Sequence, residues 1–165
     1  MMPASNTDYV QEYIVRTKTN YSFINRVVGS KKDRRHGPFE VTELINSMVG
    51  LLIIPKERYL NQVTDNLIDQ GLLGRMIQCI QKDDYSDNTL KGIVKHMRNA
   101  VAHGRIEFHA EKQPRNGAPL IIHSITFKDQ DDANRPSKYF EIDIKVNLLK
   151  EFLFAFADGI LTLIP

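Results

Sequence analysis

A chain of 165 residues is long enough for one domain whose core needs no disulfide or metal staple. With 42% hydrophobic and 25% charged residues it is not a disordered chain, and a net charge of +2 leaves any nucleic-acid partner to be argued from local charge. The lone Cys79 cannot close an internal disulfide, and five scattered histidines show no zinc-ligand spacing, so a cytoplasmic protein without metal or cofactor is expected.

The opening MMPASNTDYV has no basic stretch leading into an apolar run, so no signal peptide is expected. Residues Asp8 to Val28 predict a helix, because Tyr9, Tyr13 and Ile14, then Tyr21, Ile24 and Val28, recur three to four apart. GSKKDRRHGP follows as a polar loop between Gly29 and Pro38. Its Lys31, Lys32, Arg34 and Arg35 form the strongest local basic cluster, of a kind that grips RNA phosphates. A plain solvated loop explains the cluster at least as well, since Asp33 dilutes it and no aromatic is interleaved for stacking.

FEVTELINSMVGLLII reads as a second helix with an apolar stripe of Val41, Leu44, Ile45, Met48 and Leu52, stopped by Pro55. Asn46, on one side with Thr42 and Gly50, is expected to be buried and bonded to a neighbouring helix. Leu60 to Gln81 predicts one or two shorter helical pieces broken near Gly71 or Gly74. KDDYSDN then supplies a turn with several N-cap candidates, Asp87 among them, before the helix TLKGIVKHMRNAVAH, and Gly104 stands where a C′ glycine ends a helix.

Beyond Gly104, RIEFHA, LIIHSITFKD and KYFEIDIKV are β-branched and aromatic, separated by the turn-rich EKQPRNGAP and QDDANRPS. They predict two or three antiparallel strands. The acidic DDYSD and DQDD are expected to be solvated turns, and His36, His109 and His123 are assigned no chemistry. NLLKEFLFAFADGILTLIP closes the chain as a buried helix, because Lys150, Glu151 and Asp158 interrupt a run too short to span a membrane. The fold class is mainly α (α+β): a bundle of four to six helices with a small antiparallel β meander before the C-terminal helix. One domain over 1–165 is expected, helical over 8–104, with a β insertion over 105–146 and a last helix over 147–164.

On a helical wheel for Thr89 to His103, Leu90, Ile93, Val94, Met97, Ala100 and Val101 share an arc of about 120°. His96, Asn99 and His103 lie nearly opposite, Lys91, Lys95 and Arg98 take the other shoulder, and the small Gly92 and Ala102 share that side. A dimer contact through Gly92, His96, Asn99, Ala102 and His103 is therefore expected. The competing reading is a solvated face with a cationic last turn. Chemically, His103 can move protons near neutrality, Arg98 can hold a phosphate through its planar fork, and Asn99 can orient either.

RNAVAH, Arg98 to His103, resembles the Arg-x4–6-His signature of the HEPN superfamily (higher eukaryotes and prokaryotes nucleotide-binding), including the polar residue after the arginine. FEVTELINSMVGLLIIPKERY and the β-rich stretch before the last helix are similar to a small bacterial and plasmid-borne HEPN subgroup. The resemblance implies a homodimer whose motif helices face each other and cut RNA without metal. Arg98 would hold the scissile phosphate, Asn99 would orient or stabilise, and His103 would transfer protons. Apart from the resemblance, Lys95 joins Lys31, Lys32, Arg34 and Arg35 as a candidate RNA contact. The resemblance also implies a toxin or phage-defence effector with an antitoxin partner such as a nucleotidyltransferase. The alternative it leaves open is a non-catalytic module that binds RNA, a nucleotide or a protein.

Overall fold

A computed structural model describes residues 6–30, 40–110 and 121–164. The first helix, α1 (Asn6–Ser30), buries Val10, Ile14, Tyr21 and Val28 at the spacing read from the sequence, while Tyr9 turns outward. The second, α2 (Glu40–Met48), continues through a π-helical stretch, Val49–Ile53, into α3 (Ile54–Tyr59). Pro55 therefore does not stop this segment. The wider turn, in which Ile54 N–H bonds to Val49 O, seats the proline in the first turn of α3, where its missing N–H costs least. Leu44, Met48, Leu51 and Leu52 of this segment are buried, but Asn46 is exposed rather than buried. At Gly50 the helix of Tyr13 and Thr17 presses close: a Cβ there would lie 2.3 Å from Thr17 Oγ1.

Two short 3-10 turns (Leu60–Gln62 and Asp65–Leu67) lead to α4 (Gln70–Gln78), whose N-cap Asp69 accepts a 2.9 Å bond from Leu72 N–H. The helical interruption thus falls before Gly71 and Gly74, both of which lie inside α4. Ile80–Asp83, expected at a helix end and turn, forms strand β1 instead. Four residues carry no readable periodicity, and their conformation comes from pairing with the last strand.

The remaining elements are α5 (Leu90–Ala102), β2 (Ile106–Ala110), β3 (Ile122–Gln130), β4 (Tyr139–Lys145) and α6 (Val146–Leu163). The strands form one antiparallel sheet in the order β1-β4-β3-β2. Its inner face, carrying Ile125, Phe127, Phe140, Ile142 and Ile144, joins the helices in one hydrophobic cluster. The C-terminal helix is apolar on most sides and buries Leu149, Phe152, Leu153, Phe156 and Ile160 at its centre. An ion pair from Arg75 of α4 to Glu151 ties its first turns to the bundle. Among the described residues no helix is long and apolar enough to cross a membrane.

Candidate functional site

The helix that carries RNAVAHG is fixed at both ends. Thr89 is its N-cap, its hydroxyl accepting from Gly92 N–H at 3.0 Å, while Asp87 braces that hydroxyl at 2.7 Å. Leu90 N–H, another orphan of the first turn, is satisfied by Asp65 Oδ1 at 2.8 Å. At the other end Gly104 takes φ +64°, with Gly104 N–H bonded to Val101 O and Arg105 N–H to Ala100 O. These are the two bonds of a Schellman ending, which needs a residue tolerant of left-handed backbone at that position.

Leu90, Ile93, Val94, Met97 and Ala100 are buried against the bundle, as the wheel requires. The opposite side is not left free, because α5 is wedged between the bundle and the sheet. A Cβ on Gly92 would lie 2.3 Å from Asp87 O, so that glycine admits the protein's own preceding turn. His96 is only 1% exposed: its ring stacks on Phe140 at 4.3 Å and leans on Tyr85 at 4.6 Å. Gly92 and His96 therefore leave the set of expected dimer contacts. A wheel measured against one core cannot register a second layer on the other side.

Asp129 of β3 is what His96 meets. Its carboxylate, 5% exposed, accepts from Asn99 Nδ2 at 2.9 Å and lies 2.8 Å from His96 Nδ1, both contacts falling on Oδ2. Arg105 Nη1 is 3.9 Å from Oδ1. Such a carboxylate is held in place because a buried charge needs partners. DQDD is thus no solvated turn at its first aspartate. Strand alternation carried the signal, since Asp129 shares a face with Ile125 and Phe127. Burial, with Asp129, Asp131 and Asp84 adding to it, pushes the Tyr85 phenol up and keeps it protonated beside His96.

The network runs outward from Asp129 through Asn99 to Arg98. Asn99 Oδ1 accepts from Arg98 Nη1 at 3.0 Å, so both ends of the amide are engaged. Arg98 Nε stands 3.0 Å from Glu57 Oε1 of α3, an ion pair without hydrogen-bond alignment. Glu57 is a second residue that reading the sequence missed. These two contacts are made through Nη1 and Nε. Ala102 and His103 are exposed at the helix end, with His103 as the C-cap residue. Lys95 is exposed, its ammonium 5.9 Å from the Tyr85 ring centre. Lys31, Lys32, Arg34 and Arg35 lie outside the described residues.

Among the described residues no group of three or more histidine, cysteine, aspartate or glutamate side chains is arranged to hold a metal. On the far face of the sheet His109 Nε2 lies 2.7 Å from the buried Thr126 hydroxyl, which donates to Asp143 at 3.2 Å. That cluster is separate from the Asp129 network, because residues 126 and 129 point to opposite faces of β3.

A family model described as HEPN pEK499 p136 matches residues 2–164. No curated protein and no solved structure matches the chain.

Proposed function

The chain belongs to the HEPN pEK499 p136 family, and from that premise we propose that it is an endoribonuclease acting as a homodimer. The observation that carries this reading is the guanidinium of Arg98, held by Asn99 on a buried Asp129 and close in sequence to the exposed His103. Cleavage by the 2′-hydroxyl needs a proton acceptor, a proton donor and a cation for the phosphate. His103 of one copy takes the 2′-OH proton, and the oxygen attacks the adjacent phosphorus. His103 of the second copy protonates the departing 5′-oxygen, leaving a 2′,3′-cyclic phosphate and a 5′-hydroxyl. Arg98 offsets the charge that builds on the phosphorane oxygens. No step calls on a metal. Asn99, with both amide ends occupied, acts as a positioning residue for Arg98. Ala102 and His103 lie at the dimer contact.

RNA cleavage in EDTA by the wild type and by His103→Ala tests the proposal. Cleavage with a cyclic phosphate product, lost in the variant, is expected. Absence of cleavage by the dimeric wild type overturns the enzyme, and equal cleavage by both overturns the site. The ion pair between Arg98 and Glu57 favours a second reading, a non-catalytic module that binds RNA, a nucleotide or a protein. In that case RNA is bound and returned intact. The role we infer is that of a cytoplasmic toxin or phage-defence effector, restrained by an antitoxin such as a nucleotidyltransferase. Growth arrest on expression, relieved by His103→Ala, is the expected result.

A further inference from the structure

Helix α1 carries a second stripe, Thr19, Ser22, Phe23 and Arg26, on a side other than the buried Val10, Ile14, Tyr21 and Val28. With Lys18 and with Phe154 of α6 it lines a groove of about 580 Å³. Phe23 is 56% exposed and Phe154 half-buried, so two aromatic rings face one groove. Each ring has a cation over it. Arg26 Cζ lies 5.5 Å from the centre of the Phe23 ring, and Lys18 Nζ lies 5.1 Å from that of Phe154. Lys150, one turn before Phe154, stands 5.2 Å over Tyr21, whose ring meets Phe154 edge-on at 5.6 Å. Asp158 pairs with Lys18 and keeps it in place, whereas Arg26 is exposed and has no carboxylate partner among the described residues. The described residues lining the groove include two cations and no carboxylate.

We propose that this groove binds single-stranded RNA, separately from the Arg98 site. Aromatic rings interleaved with cations match a chain of unpaired bases joined by phosphates. A base stacks on the exposed Phe23 ring, and Arg26 and the Ser22 hydroxyl donate to an adjoining phosphate. Stacking does not read base edges, so the groove holds a strand without choosing its sequence. A duplex keeps its bases stacked on one another and has none to offer Phe23. That the strand is RNA rests on the nuclease reading, while the match to unpaired bases and phosphates does not.

The test is binding of a 2′-O-methyl uridine decamer, which cannot be cleaved, to the full chain. Phe23→Ala weakens it about tenfold and Phe23→Tyr does not. Arg26→Ala lowers the slope of log affinity against log salt by about 0.7, the share of one phosphate contact on a single strand. Both side chains are exposed, so urea denaturation should find these variants as stable as the wild type. Phe23→Ala costs the same in an Arg98→Ala background. No loss in a folded Phe23→Ala overturns the proposal. So does equal affinity for the duplex with 2′-O-methyl adenosine, or binding of anionic vesicles in place of the strand. Binding that depends on Phe23, with no cleavage of unmodified RNA, overturns the nuclease and leaves the groove standing. Cleavage whose KM ignores both Phe23→Ala and Arg26→Ala does the reverse.

Discussion

Asn99 and Asp129, 30 positions apart, are joined by a 2.9 Å hydrogen bond that ties the motif helix to the centre of the sheet. The same carboxylate oxygen lies against His96 Nδ1, so one buried group holds two consecutive turns of α5. The β insertion thereby has a task in the site. It supplies the fixed point to which Asn99, and through it the Arg98 side chain, is tied.

Asp129→Ala removes this fixed point and leaves Asn99 Nδ2 and His96 Nδ1 without an acceptor inside the fold. A loss of about 3 kcal/mol in unfolding free energy is expected. Asp129→Asn keeps the shape and costs less. Urea denaturation measures both, and a loss under about 0.5 kcal/mol for alanine would show that the network does not hold α5.

Gly92→Ala reverses the usual rule. Alanine in a helix interior ordinarily stabilises by about 1 kcal/mol, but here its Cβ would meet the Asp87 backbone oxygen at 2.3 Å. The expected outcome is a lower Tm, with a shift that does not change with protein concentration. A shift present only at dimer-forming concentrations would return Gly92 to the subunit contact.

His103→Ala separates stability from chemistry. The side chain is exposed at a helix end, so the unfolding free energy should change by less than about 0.5 kcal/mol. Cleavage of RNA should fall by about a hundredfold or more, the scale of lost general acid–base catalysis. Matched denaturation and single-turnover cleavage assays check the two halves.

The β3–β4 turn should withstand acid. Asp131 is held at a pKa of about 2 by the Ser137 hydroxyl and by the Lys138 and Ser137 N–H groups. A carboxylate whose folded pKa lies below its unfolded value stabilises the fold above the unfolded value, 3.8, and loses that contribution as pH falls through about 2. Carboxyl NMR should show Asp131 titrating near that lower value, with the Ser137 and Lys138 amides protected at pH 3. A midpoint near the ordinary value would refute the arrangement. Asp131→Asn should remove this part of the acid dependence.

Local chemistry was legible wherever neighbouring residues decide the outcome. The stripe Leu90, Ile93, Val94, Met97 and Ala100 and the glycine stop at Gly104 stand in the structure as read, because 3.6-residue periodicity and a positive φ are properties of adjacent residues. The same holds for the β runs of 106–110, 122–130 and 139–145, where alternation repeats over enough residues to be seen. Arg98, Asn99 and His103 were candidates by their type and spacing, and of these the structure joins Arg98 to Asn99 by a hydrogen bond. Asp129 was hidden because an aspartate in an acidic run looks solvated until a strand partner and a second layer bury it. Asn46 failed the other way: it shares a helix with apolar residues, yet its own side is exposed among the described residues.

The sequence by itself determined which segments are helices and strands along most of the chain, where α5 ends, and which residue types its last turns present. Tertiary structure alone decided that α5 has a covered second side, that His96 and Gly92 face inward, and that Asn99 points to Asp129 and Arg98 to Glu57. The reason is physical. Periodicity records how a helix meets one neighbour, whereas a buried polar contact between residues 30 apart depends on where two separate elements cross.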